Sequence, residues 1–376
     1  MLFTIIVFIF TLLILVLSHE FGHFLAAKKF GVKVLEFGFG LRPRLFGKKV
    51  GETIFSVNAL PIGGFVELFG EDETDKNVLK NDRSFASKPV LQRIIVVVAG
   101  VAMNFALAAI LFWVVLFSKG FEESLPLLTD HKFAGVTQVN EEVVLIGAVS
   151  PESPAEVAGI KGGDRVKEID GVKLENSEQF ASIVKQKAGR KINLTLLDPQ
   201  NETRNIEVEP RTNPPEGQGP LGVSLGLIKV AHIKYDSAIS KATAGIVHSY
   251  NLASYSFGIL GMLISDSFAA RDLEPVSQSV AGPVGLTNLT GSILQTDEPL
   301  IPYLNFVALL SLNLAIINIL PFPALDGGRL IFLEIEAIFR RRVKPEVEKW
   351  FHLVGYVILI SLIVTITFSD IRKLFP

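Results

Sequence analysis

Leu12-Leu13-Ile14-Leu15-Val16-Leu17-Ser18-His19-Glu20-Phe21-Gly22-His23-Phe24-Leu25-Ala26-Ala27 is an apolar run broken by three ionisable side chains at fixed spacing. Before His19 the run has no polar face, which separates it from the amphipathic helix of a soluble protein. Residues 1–18 carry no charge. At about 1.5 Å per residue such a helix crosses most of a hydrocarbon core of about 30 Å. Ionisable groups in that setting are costly unless satisfied, so function is their default reading. His19 and His23 are four residues apart, share one helix face and can reach one ion. The pattern H-E-x-x-H is that of a zinc site, in which the acidic residue, here Glu20, takes a proton from water. A snorkelling polar helix end is the bland alternative. The apolar residues on both sides of the motif argue against it.

The same reading extends along the chain. Residues 94–118, 301–325 and 353–369 are further uncharged stretches of about spanning length. Residues 242–265 are also uncharged but contain Thr243, His248, Ser249, Asn251, Ser254 and Ser256, which predicts an amphipathic interfacial helix over 236–270. Hydrophobic residues make up 49% of the 376, more than a soluble globular chain would carry. The expectation is a polytopic α-helical membrane protein with about four transmembrane helices. The formal net charge of −2 gives no reason to expect nucleic acid. No cysteine is present, so a zinc site here is limited to His, Asp and Glu. A cleaved signal peptide is not expected, because Met1-Leu2-Phe3 has no basic residue and Leu17-Ser18-His19-Glu20 no small-residue cleavage site.

Basic residues set the expected orientation. Lys28, Lys29, Lys33, Arg42, Arg44 and Lys48 follow the first span, and Arg329, Arg340, Arg341 and Arg342 follow the stretch 301–325. The positive-inside rule puts both segments in the cytoplasm, and both termini and residues 119–300 outside. His19 then lies towards the cytoplasmic side. A residue ending the stretch 301–325 can join it only if that stretch runs in the same direction as the first.

Two regions read as β-structure. Thr53-Ile54-Phe55-Ser56-Val57 and Phe65-Val66-Glu67-Leu68, punctuated by glycine and proline, predict membrane-associated hairpins over 33–70, within a first unit of 1–118. Residues 71–88 are charged and polar and read as a loop. Residues 135–228 read as an inserted α/β domain, with strands at Val143–Ile146 and Ile192–Leu196 and a short helix over Phe180–Lys187. Its string Ser153-Pro154-Ala155-Glu156-Val157-Ala158-Gly159-Ile160-Lys161-Gly162-Gly163-Asp164, with the turn Ile169-Asp170-Gly171, resembles the signature of PDZ domains. Leu221-Gly222-Val223 is similar to their carboxylate-binding loop.

A catalytic zinc site keeps three protein ligands and one open position. Asp326 is the best third candidate, in Asn318-Ile319-Leu320-Pro321-Phe322-Pro323-Ala324-Leu325-Asp326-Gly327-Gly328 within a last unit of 301–376. The prolines break the helix and the glycines free the backbone. Spacing alone equally allows Asp326 to cap the next helix.

Taken together the chain resembles the site-2 proteases, specifically the bacterial RseP-like branch. The resemblance is carried by His19–His23, by Asn318–Gly327, by the PDZ signature, by Ala59-Leu60-Pro61-Ile62-Gly63-Gly64-Phe65-Val66 and by Ala281-Gly282-Pro283-Val284-Gly285. It implies that His19, His23 and Asp326 bind Zn2+, that Glu20 is the base and that Asn318 helps to hold substrate. It also implies hairpins that pair with an extended substrate, and a place in a bacterial cytoplasmic membrane with an extracytoplasmic PDZ domain. Its substrates would be single-span membrane proteins such as anti-sigma factors or signal-peptide remnants. The best-known relatives have two PDZ domains; one is legible here. Two rivals are a membrane PDZ adaptor with a vestigial metal site and a metal transporter. An intact Glu20 disfavours the adaptor, and a transporter would need ligands along a path.

Overall fold

The computed structural model describes residues 2–71, 76–174, 176–198, 202–270 and 282–374. In chain order the elements are α1 (Leu2–Lys29), β1 (Val34–Val50), β2 (Thr53–Leu68), α2 (Lys76–Leu79), α3 (Val90–Ser118), β3 (Glu122–Leu127), β4 (Thr137–Val149), α4 (Pro154–Val157), β5 (Arg165–Ile169), β6 (Val172–Lys173), α5 (Ser177–Gln186), β7 (Ile192–Leu197), β8 (Thr203–Val208), β9 (Val223–Lys234), α6 (Ala238–Ala242), α7 (Ala244–Ala270), α8 (Pro283–Leu294), α9 (Leu300–Ile319), α10 (Asp326–Phe339) and α11 (Pro345–Leu374). They form two compact units, one of Met1–Gly120 with Lys241–Pro376 and one of Phe121–Ser240. Ala281 of the Ala-Gly-Pro-Val-Gly string lies outside the described residues.

Among the described residues five helices are long and apolar enough to cross a membrane: α1, α3, α7, α9 and α11. The fifth, relative to the expected four, is α7. Its polar residues divide, with Ser254 exposed and Ser256 half-buried while three others face inwards. His248, Ser249 and Asn251 are buried, with His248 edge-on to Phe112 of α3 at 4.9 Å between ring centroids. The Ser249 hydroxyl donates to the Gly245 carbonyl at 2.8 Å. Burial of polar groups in an apolar surrounding requires partners; Ser249 finds one within α7 and His248 packs on α3. A Cβ at Gly245 would stand 2.0 Å from the Ala109 oxygen, and this close approach requires glycine.

Helices α1 and α9 run in the same direction. The Thr11 hydroxyl pairs with Tyr303 near the start of α9, and His19 meets Asp326 just beyond its end. Helix α3 lies between them. Ser311 of α9 donates to the Asn104 carbonyl at 2.8 Å, and Gly22 of α1 approaches so closely that a Cβ would lie 2.2 Å from the Ala99 oxygen. Small residues at such crossings let helices pack where lipid provides no hydrophobic drive.

The hairpin is longer than the predicted strands. Both β1 and β2 double back, so β1 residues 36–39 pair with 54–57 on one side and 64–67 on the other, while residues 46–50 pair with 53–57. The outer segment 64–68 pairs only with β1 among the described residues. Glu36 is buried and receives the guanidinium groups of Arg44 at 2.8 Å and Arg42 at 3.2 Å from the returning part of β1.

The unit Phe121–Ser240 carries a seven-stranded antiparallel sheet in the order β3-β9-β4-β5-β7-β8, with β6 on β5. Ile192, Leu194 and Leu196 alternate inwards along β7 onto Phe180 and Val184 of α5, the period of two that a one-sided sheet requires. Three residues of the glycine-rich motif hold the local structure. Ser153 caps α4 by accepting from the Glu156 N–H, Ala155 is buried in the core, and Asp164 is buried between the Lys161 N–H and Arg204. Asp170 and Gly171 both have positive φ, as a two-residue turn between strands demands.

Candidate metal centre

Three side chains from two distant parts of the chain converge. His19 and His23 lie on the last turns of α1, their Nε2 atoms 3.1 Å apart. Asp326 opens α10, and its Oδ2 is 3.0 Å from His19 Nε2 and 3.3 Å from His23 Nε2. The local sequence brings it there. Helix α9 ends at Ile319, and the segment through Pro321 and Pro323 returns the chain within a few residues. A Cβ at Gly327 would collide with the Leu320 oxygen at 2.0 Å, and one at Gly328 with the Phe322 oxygen at 2.4 Å. The two glycines therefore allow α10 to start against the end of α9.

The donor set fits a metal ion. Ligand atoms about 2.0–2.1 Å from a tetrahedral zinc ion lie about 3.3–3.4 Å from one another, close to the separations found. His23 Nδ1 lies 2.8 Å from the Val96 carbonyl; because a carbonyl only accepts, the proton is on Nδ1 and the Nε2 lone pair faces the cluster. Asp326 Oδ2 is buried and accepts no hydrogen bond, an orphaned acceptor of the kind a cation satisfies. Among the described residues, these three form the group of His, Asp and Glu side chains with metal-holding spacing.

Glu20 is on α1 between the two histidines and half-buried. Its Cγ would lie 3.2 Å from a Cβ at Gly64, so the outer hairpin segment passes directly beside it. Asn318 is half-buried in the last turn of α9, before the loop that leads to Asp326, and is not part of the three-residue cluster.

Three positions escaped the sequence reading. Gly100 of α3 faces both imidazoles; a Cβ there would be 2.4 Å from His23 Nε2 and 2.8 Å from His19 Cε1. Asn104, one turn further on, is fully buried with both amide atoms unpaired, as is His19 Nδ1. Their four-residue spacing inside an uncharged span was the available signal. The third, His352 of α11, accepts the Ala324 N–H at 3.0 Å.

A family model for Peptidase family M50 matches residues 7–362, and the chain belongs to that family. A Clostridium perfringens protein provisionally named as a zinc metalloprotease is 32% identical over 96% of this chain and 96% of its own. The zinc metalloprotease RasP of Oceanobacillus iheyensis is 26% identical over 99% of each chain. The regulator of sigma-W protease RasP of Bacillus subtilis is 27% identical over 99% of each. Among solved structures, the PDZ domain of an SdrC-like protein from Listeria monocytogenes aligns with 26% of this chain and 93% of its own, at 18% identity and a TM-score of 0.20.

Proposed function

We propose that this chain is a zinc metalloprotease that hydrolyses peptide bonds within or beside the transmembrane segments of other proteins. The observation that carries the reading is the convergence of His19 Nε2, His23 Nε2 and Asp326 Oδ2 inside a bundle of apolar helices, with Glu20 on the same turn. His19, His23 and Asp326 would hold the ion. Zinc bound there supplies Lewis-acid chemistry and makes water more acidic. Glu20 accepts the proton of the attacking water as its oxygen bonds to the scissile carbonyl carbon. It then returns that proton to the amide nitrogen as the C–N bond breaks.

A helical substrate hides its amides in its own hydrogen bonds, so it must be extended locally before attack. The outer hairpin segment 64–68 offers a strand edge beside Glu20, and strand addition there would hold the chain open. Asn318, before the metal loop, would contribute a hydrogen bond to the extended substrate. The Phe121–Ser240 unit is read as an extracytoplasmic PDZ domain that gates or selects substrates, in a bacterial cytoplasmic membrane where α7 does not cross on its own and both termini lie outside. The name of the Bacillus subtilis relative, a regulator of sigma-W, favours single-span anti-sigma factors as the substrate class.

The test uses the purified full-length chain, reconstituted with a single-span reporter. Zinc-dependent cleavage within or next to the reporter's span is expected, and Glu20→Gln should bind zinc yet retain the reporter uncut. Cleavage by Glu20→Gln at the unsubstituted rate would remove the proposed base, and cleavage confined to soluble peptides would remove the intramembrane assignment.

A further inference from the structure

Helix α11 presents most of its surface outwards, as a lipid-facing span does. Two residues on its inner face touch the loop that delivers Asp326. A Cβ at Gly355 would fall 2.2 Å from Pro323 Cβ and 2.5 Å from the Pro323 carbonyl, so the helix backbone rests directly on the loop. Three residues earlier, on the same face, His352 Nδ1 accepts the Ala324 N–H at 3.0 Å.

Ala324 has φ of 75°. A residue with a Cβ rarely adopts this left-handed conformation and keeps it only where its surroundings fix it. Here the fixing bond comes from a different helix. The ring of His352 also faces Phe332 of α10, with centroids 6.1 Å apart. His352 thus contacts the chain on both sides of Asp326, two residues before it and six residues after. An imidazole on a span is costly unless it has a role, and the Nδ1 of this one is occupied by a backbone N–H that would otherwise point into an apolar loop.

We propose that His352 is a positioning residue for the metal centre, fixing the direction of the Asp326 carboxylate by holding Ala324 in its left-handed conformation, with Gly355 as the close-approach point that admits the helix. The last span is then part of the catalytic scaffold. The inference rests on the zinc reading of His19, His23 and Asp326.

The test measures zinc retention by the full-length purified chain against a graded chelator, together with kcat and KM. His352→Leu keeps an apolar side chain and removes the acceptor. It should weaken zinc retention by about 10–100-fold, the usual effect of losing a contact that supports a ligand, and lower kcat with little change in KM. His352→Asn places an amide oxygen near the position of Nδ1 and should recover most of the loss. Combining Ala324→Gly with His352→Leu should also recover part of it, because glycine adopts positive φ without a brace. Wild-type zinc retention in His352→Leu would overturn the proposal. So would an Asn variant as impaired as the Leu variant, and that comparison decides the matter if His352→Leu folds poorly. Asp326→Asn, measured alongside, separates the two levels. Zinc retained there would overturn the metal reading itself, whereas zinc lost there but fully retained in His352→Leu would overturn only the role of His352.

Discussion

Gly100 stands so close to His23 that a single added Cβ would lie 2.4 Å from the imidazole Nε2. In an open helix interior, Gly→Ala is favourable by about 1 kcal/mol. At Gly100 the sign should reverse, because overpacking costs about 1–3 kcal/mol and the displaced atom is a proposed metal ligand. Gly100→Ala should therefore lose zinc and activity. Gly261→Ala, in α7 where nothing stands within 4 Å of the new Cβ, should be neutral or slightly stabilising. Zinc content of the two purified variants checks the pair.

Asp326→Asn keeps the size of the side chain and removes its anionic charge. Its effect on zinc affinity should exceed the roughly 10–100-fold typical of a supporting contact. Asp326→Glu lengthens the arm by one methylene. It should keep some metal and still lose most activity, since the attack depends on geometry. Equilibrium dialysis with zinc and a cleavage assay separate the two effects.

The loss in Glu20→Gln should fall on turnover. General acid–base groups contribute about 10²–10⁴-fold, so kcat should drop in that range while zinc stoichiometry stays at the unsubstituted level. Metal analysis beside single-turnover kinetics provides the check.

Arg93 of α3 and Glu336 of α10 form a two-pronged ion pair, with bonds of 2.6 and 3.0 Å and side chains only 6% and 15% exposed. Glu336→Ala should destabilise the chain by about 3–5 kcal/mol, because a buried guanidinium is left uncompensated. Arg93→Met with Glu336→Leu should recover much of that loss. Denaturant unfolding in detergent measures both, and equal losses in the single and double variants would show that the pair is not the source.

Within the Phe121–Ser240 unit, Asp164 is fully buried and accepts from the Lys161 N–H at 2.8 Å and Arg204 at 2.7 Å. Asp164→Ala should cost about 1–3 kcal/mol for the donors left behind, while zinc retention stays unchanged. Limited proteolysis of the full chain, with fragment mapping to 121–240, reads the first effect.

The sequence determined whatever depends on neighbours along the chain. Charge-free runs marked long apolar helices, the four-residue spacing put His19 and His23 on one face, and alternation marked the strands at Ile192–Leu196. It also marked Asp326 as an acidic residue ending an apolar run, but left capping and ligation equally open. The tertiary structure decided what depends on which helix faces meet. It brought Asp326 within 3.3 Å of both histidines, put Gly100 against their rings, laid Gly64 beside Glu20, turned His248 and Asn251 inwards and set His352 against Ala324. The physical reason lies in the uniformity of an apolar span. A helix in a soluble protein advertises its buried face by contrast with a polar one. A helix among lipid and other apolar helices has no such contrast, and its partners are selected by close approach at small residues and by pairing of its few polar groups. Those choices join positions far apart in the chain, and only the folded bundle makes them visible.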